Sequence, residues 1–260
     1  MKTIYDVFVI GGGVNGCGIA RDAAGRGYSV YLAEKNDIAS GTSSASSKLI
    51  HGGLRYLENY EFSFVRKALK ERDTLISIAP HIVKEVRFIL PYHKGLRQAW
   101  ILKLGMMLYD NLYSSKFIKR STSINIKSHV SQLTLLDSYS KGFEYSDCMA
   151  DDSRLTVLNA IDAKKLGSFI STRTIVSNIK QVNNIWEINT VNSITGENQT
   201  IKAKVVINAT GPWIDNFLSN SYKQTNANNI RLVKGSHIVV NKIFNHNYSY
   251  LFQNSDGRIF

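Results

Sequence analysis

Cysteine is nearly absent. Cys17 and Cys148 are the two in the chain, and they form no C-x-x-C arrangement. That argues against a disulfide framework or a zinc site, and suits a reducing compartment. No apolar run reaches the roughly 20 residues of a membrane-crossing helix. Met1 leads straight into an apolar stretch, so no signal peptide is expected. The glycosylation sequons at Asn198 and Asn247 are therefore read as chance. Internal repeats are missing too. Acidic residues are in short supply, 20 against 32 Lys and Arg, for a formal net charge of +12. The excess favours anionic partners, such as a phosphorylated substrate or an acidic membrane surface. The basic residues are scattered rather than clustered, so nucleic acid is not an expected partner. With 260 residues, 43% of them hydrophobic, the chain can bury one large or two small domains.

What is present begins with the first fifty residues. Residues 4–10 read as a buried parallel strand. Gly11, Gly12, Gly13, Val14, Asn15 and Gly16 follow and fit G-x-G-x-x-G. In that pattern Gly11 makes the tight turn, Gly13 lets the backbone approach a pyrophosphate, and Gly16 lets the next helix pack on the strand. The helix over residues 14–26 would aim free N–H groups at the phosphates. A second strand over residues 28–33 ends at Glu34, placed to hold ribose hydroxyls. The pattern fits NAD as well as FAD, and a purely structural glycine turn is the alternative.

Residues 40–47 read Ser-Gly-Thr-Ser-Ser-Ala-Ser-Ser and lead into Lys48, Leu49, Ile50, His51, Gly52, Gly53, Leu54, Arg55 and Tyr56. By composition the first part is a linker. The His, Arg and Tyr framed by paired glycines favour a loop wrapping a polar cofactor. An amphipathic helix spans 61–79 and ends at Pro80. Residues 86–91 form a strand. The helix over 97–113 carries Trp100, Ile101, Leu104, Met107, Leu108 and Leu112 on one face. It reads as a core helix of a second domain, with membrane-surface docking as the alternative. Residues 142–147 read as a strand leading to a turn. Asp152 or Ser153 then caps a helix over 154–166. Residues 168–180, 186–191 and 199–203 suggest a small antiparallel sheet, with Thr195 and Gly196 turning one hairpin. Residues 204–208 form another buried strand, broken at Ala209, Thr210, Gly211 and Pro212 by a second glycine turn where backbone can approach a cofactor. Residues 230–240 read as a strand pair around Lys234 and His237. A strand over 248–253 and a turn at Ser255, Asp256 and Gly257 open a hairpin in which the sequence stops, so a longer protein is expected.

These stretches resemble the FAD-dependent glycerol-3-phosphate dehydrogenases. The resemblance rests on residues 10–16, 42–57, 142–147, 208–213 and 234–237, and it covers essentially the whole chain. It implies an α/β fold: a Rossmann-like FAD-binding domain with a parallel sheet, from residues 1–78 and 148–228. A second, incomplete α+β substrate domain would use 79–147 and 229–260. The implied activity is oxidation of sn-glycerol 3-phosphate to dihydroxyacetone phosphate, with electrons passed from FAD to quinone. The implied setting is cytoplasmic, peripheral on the inner face of the cell membrane, with a homodimer as a further partner. For FAD, the candidate contacts are Gly11, Gly12, Gly13, Gly16, Glu34 and Lys35. The resemblance adds Thr42, Ser43, Ser44, Ser46, Ser47, Lys48, Leu49, His51 and Gly52 along the diphosphate and flavin. It places the backbone near Val176 against the adenine, and Ala209, Thr210 and Gly211 on the far side.

The chemistry needs a base for the hydroxyl proton as hydride leaves the adjacent carbon, and histidine titrates in the right range. His51 is the first candidate and His237 the second. Arg55 suits a substrate phosphate or a developing oxyanion, and on a helical turn it would share a face with His51. Tyr56 and Lys234 are weaker substrate candidates. The rival readings are an oxygen-using glycerol-3-phosphate oxidase, an NAD-dependent dehydrogenase and a non-catalytic remnant.

Overall fold

In chain order the regular elements begin with β1 (Tyr5–Ile10), α1 (Val14–Gly25), β2 (Val30–Ala33), β3 (Leu49–Ile50), α2 (Phe62–Ile78), β4 (Val83–Pro91) and α3 (Ala99–Leu112). They continue with β5 (Thr122–Asn125), β6 (Lys141–Ala150), α4 (Asp152–Lys165), β7 (Phe169–Ser171), β8 (Thr174–Val182), β9 (Ile185–Asn192), β10 (Asn198–Asn208), α5 (Ile214–Asn220) and β11 (Tyr248–Tyr250). This computed structural model describes residues 4–223, 230–254 and 258. Two compact units divide the chain: residues 1–47 with 151–237, and residues 48–150 with 238–260.

The first unit is a six-stranded sheet in the order β7-β2-β1-β10-β9-β8. Side chains alternate across it as strand geometry requires. Val30 and Leu32 of β2 join Val9, Cys17, Ala20, Ala24, Ala160 and Ala163 in one core. The small residues of α1 and α4 let these helices lie close together on the sheet. Tyr31 and Ala33 point the other way, into a core with Phe8, Ile188 and Phe217. Tyr31 stacks there on Phe8 at 5.1 Å between ring centroids.

The sheet is mixed, not parallel throughout, and the small antiparallel sheet read from the sequence is part of it. Residues 199–203 and 204–208 are one strand. The first half of β10 runs antiparallel to β9, and the second half runs parallel to β1. Ala203 pairs with Tyr5 on one side and Trp186 on the other. Beyond it β9 no longer pairs with β10, so Val205 is exposed rather than buried. Residues 168–180 form two strands, because Arg173 turns left-handed at φ 54° between β7 and β8. The cap of α4 is Asp151, not Asp152 or Ser153; its carboxylate accepts the Arg154 N–H at 3.0 Å.

The second unit has a sheet in the order β11-β4-β6-β3, with β5 also on β6. The strand expected over 142–147 does not turn at its end. It continues to Ala150, because all nine residues of β4 pair with it. Val86, Phe88, Leu90, Met106, Phe143 and Tyr145 form its core. Residues 48–78, expected in the first domain, belong to this unit: β3 pairs with Met149 and Cys148 of β6, and Val65 and Leu69 of α2 pack on Tyr109 of α3.

The strand pair read over 230–240 is absent. These residues carry no regular structure and are exposed, Val239 at 99%. Their alternation suits a strand, but no neighbouring strand pairs with them among the described residues. The expected 248–253 strand is shorter, with β11 parallel to β4 over Tyr248–Tyr250. The turn at residues 255–257 lies outside the described residues, as do 259 and 260.

Candidate functional site

The end of β1, the start of α1, the end of β2 and the turn after β10 meet at one cavity of about 600 Å³ in the first unit. That is ample for a nucleotide-sized ligand. Gly11 turns the chain at φ 108°, and a Cβ there would sit 2.6 Å from the Ala209 carbonyl oxygen. A Cβ on Gly16 would sit 1.9 Å from the Gly11 carbonyl oxygen. Only glycine allows the helix to start that close to the strand. Gly13 caps α1 with no side chain of its own to occupy the leading N–H groups, and the first turn holds no acid. Such a helix end favours an anion.

Glu34 stands at the rim. Its carboxylate accepts the Gly12 N–H at 2.6 Å and the Asn36 N–H at 2.8 Å. Two oxygens offer about four acceptor sites, so capacity remains for ligand hydroxyls. Ser43 Oγ accepts the Val14 N–H at 2.9 Å, tying the serine-rich loop to the start of α1. Beneath the turn, Cys17 Sγ donates to the Gly12 carbonyl at 3.4 Å. Burial pushes that thiol up to about 12, so it is a neutral packing group rather than a nucleophile. Across the cavity, β8 bulges between Val176 and Asn178 and presents Thr174, Ile175, Val176 and Ser177. Ser221 Oγ donates to the Val176 carbonyl at 3.1 Å and holds this edge to the end of α5.

Of the sequence candidates, Gly11, Gly12, Gly13, Glu34, Lys35, Thr42, Ser43, Val176, Ala209, Thr210 and Gly211 line this cavity. Gly16 packs behind it. Ser44, Ser46 and Ser47 do not line it; Ser46 Oγ bonds instead to Asp152 at 2.8 Å, at the start of α4. Lys48, Leu49, His51, Gly52, Arg55 and Tyr56 belong to the second unit. There His51 is exposed, and a 3-10 helix begins only at Leu54, after Gly53 at φ 73°. The left-handed Gly53 removes the shared helical face expected for His51 and Arg55. Arg55 is exposed, and Tyr56 packs edge-on to Phe64. Lys234 and His237 lie in the exposed stretch 230–240.

Sequence reasoning missed several lining residues. Trp213 receives Lys35 Nζ 4.8 Å from its ring centroid, and its edge fills the space a Cβ on Gly41 would need. Both stood inside motifs already singled out, so the signal was there. Phe217 and Asn220 carry no motif and reach the cavity only through the direction of α5.

The family profile of FAD dependent oxidoreductases matches residues 6–260. The chain belongs to the FAD dependent oxidoreductase family. FAD is thus the cofactor, and the glycine cradle, the acid-free helix start and the Glu34 carboxylate fit its adenosine diphosphate portion. This oxidoreductase is 50% identical over 254 residues to the D-erythritol 1-phosphate dehydrogenase of Brucella abortus, covering 98% of the chain and 51% of that protein. It is 48% identical over 259 residues to the glycerol-3-phosphate dehydrogenase of Pseudomonas tolaasii, covering 100% and 50%. Among solved structures it is similar to the glycerol-3-phosphate dehydrogenase of Bacillus halodurans complexed with FAD. The TM-score is 0.64 and the identity 29%, over 84% of this chain and 36% of that one. The chain spans about half the length of the curated relatives it matches. The motif resemblance therefore holds along the whole chain, although the four-carbon polyol phosphate was not foreseen.

Proposed function

We propose that the protein oxidises the secondary alcohol of sn-glycerol 3-phosphate to a ketone, passing two electrons to FAD and then to quinone. The observation that carries this is 48% identity to a glycerol-3-phosphate dehydrogenase over 100% of the chain. The nucleotide-sized cavity of the first unit supports it. When bound, FAD supplies the hydride acceptor. In this reading Gly11 and Gly13 admit the diphosphate, Glu34 holds the ribose hydroxyls, and Val176 backs the adenine. The first unit is then the FAD domain and the second the substrate domain. His51 takes the hydroxyl proton, as a positioned general base must when hydride leaves the adjacent carbon. Arg55 offers a two-pronged donor to the substrate phosphate. His237 and Lys234 remain second candidates by motif.

A peripheral membrane contact belongs to the same reading. On α3, Met106 and Tyr109 are buried while Trp100, Leu104 and Met107 are more than half exposed. That leaves an apolar face outside the core of the second unit. Among the described residues, no helix is long and apolar enough to cross a membrane.

The 50% identity to a D-erythritol 1-phosphate dehydrogenase favours a second reading, with a four-carbon polyol phosphate as substrate. Both are tested by mixing the FAD-loaded protein anaerobically with each compound and following flavin absorbance. Faster bleaching with sn-glycerol 3-phosphate is the expected result, and faster bleaching with D-erythritol 1-phosphate selects the second reading. A spectrum that neither compound changes rejects both. His51→Gln is expected to keep FAD and slow bleaching by about 10²- to 10⁴-fold.

A further inference from the structure

The loop that carries His51 rests on a buried polar network. The Gly52 N–H donates to Tyr109 Oη at 2.8 Å. The same hydroxyl donates to Asp147 Oδ1 at 2.8 Å. Arg72 Nη1 donates to that carboxylate oxygen, also at 2.8 Å. Arg72 Nη2 stands 3.4 Å from Asp73 Oδ1. Tyr109, Arg72, Asp147 and Asp73 are all at most 5% exposed. They come from α2, α3 and β6, so three elements converge under one backbone amide. The loop is seated hard on them: a Cβ on Gly52 would lie 2.5 Å from Leu69 Cδ2 and 2.6 Å from Tyr109 Oη.

Satisfying one loop amide does not require this. A carbonyl or a water meets a backbone N–H at small cost. Burying an ion pair carries a large desolvation penalty, which only close geometry and further hydrogen bonds offset. Burial drives Asp147 toward its neutral form, opposed first by Arg72, then by the Tyr109 hydroxyl and more weakly by His51. Burial and the Asp147 charge hold the Tyr109 phenol protonated far above neutral pH. The phenol thus has its proton committed to Asp147 and its lone pair to Gly52. Such a network is stiff, because each bond fixes the direction of the next.

We propose that Tyr109 is a positioning residue for the His51 loop, holding the Gly52 amide so that the His51 imidazole stands where it receives the substrate proton. Asp147 and Arg72 orient the Tyr109 hydroxyl. The proposal rests on the reading of His51 as the base. A displacement on the order of 1 Å at a catalytic group costs about 10²-fold in rate.

The test compares Tyr109→Phe, His51→Gln and the double variant in the full-length, FAD-loaded protein. Anaerobic flavin reduction by sn-glycerol 3-phosphate is measured across substrate concentrations, and amide hydrogen exchange is measured at Gly52. Tyr109→Phe is expected to slow reduction roughly 10- to 100-fold with little change in substrate half-saturation. In the His51→Gln background the same change should have almost no further effect, because the two residues act as a unit. Gly52 exchange should speed up in Tyr109→Phe. Unchanged reduction, or a loss that multiplies fully with that of His51→Gln, overturns the proposal while leaving His51 as the base. If His51→Gln alone is without effect, the base reading falls and this proposal falls with it. Should Tyr109→Phe fail to fold, exchange in the unmodified protein decides. Slow exchange at Gly52 supports the clamp, and exchange as fast as in an open loop overturns it.

Discussion

Glu34 shows how one side chain links local structure to ligand binding. Its carboxylate already ties the glycine turn to the residues after β2 through Gly12 and Asn36. The same residue lines the cavity. A hydrogen bond to a charged group contributes about 1.5–3 kcal/mol. Glu34→Ala is therefore expected to weaken FAD binding roughly 10- to 100-fold, read from quenching of flavin fluorescence on titration. Unaltered affinity would remove Glu34 from the ribose role. At this scale the sequence was highly legible. Gly11, Gly13 and Glu34 sit where their spacing placed them, because a strand–turn–helix unit is built from contacts close in sequence. Arg55 was less legible, since one left-handed glycine at position 53 breaks the helical register on which its pairing with His51 depended.

Among the elements, α4 isolates a capping effect. The sequence reading put the cap at Asp152 or Ser153, but it is the Asp151 carboxylate that receives the Arg154 N–H. Removing an N-cap costs about 1 kcal/mol. Asp151→Ala should lower stability by about that amount in urea titrations, and Ser153→Ala by clearly less. The reverse order would put the cap at Ser153. β10 shows a different limit. Ala203 and Lys204 hold no turn signal, yet they divide a strand between an antiparallel and a parallel partner. Strand existence is written in local propensity, whereas partners come from distant segments. The stretch 230–240 fails for the same reason: β-branched alternation makes a strand only where another strand is beside it.

For the molecule as a whole, charge and exposed apolar surface point the same way. The formal net charge is +12, and Lys103 lies on α3 with its exposed Trp100, Leu104 and Met107. Basic residues and apolar side chains on one amphipathic helix favour anionic lipid surfaces. The protein is expected to sediment with anionic vesicles at low salt and much less with neutral ones. Trp100→Ser combined with Leu104→Ser should lower the bound fraction several-fold without changing the melting midpoint appreciably, because both side chains are already exposed. Equal sedimentation of the variant would move any membrane contact elsewhere.

The sequence alone determined that the first turn is of the dinucleotide-binding kind, the order of most elements and the residues of the phosphate turn. Each of these is set by neighbours within about thirty residues along the chain. Only the tertiary structure decided that residues 48–78 belong with the second unit and that β10 joins two kinds of sheet pairing. Only it brought Trp213, Phe217 and Asn220 to the cavity, and Tyr109, Asp147 and Arg72 under Gly52. Gly52 and Tyr109 are 57 positions apart, and no periodicity or spacing in a single sequence encodes a hydrogen bond between segments that meet only when the core closes.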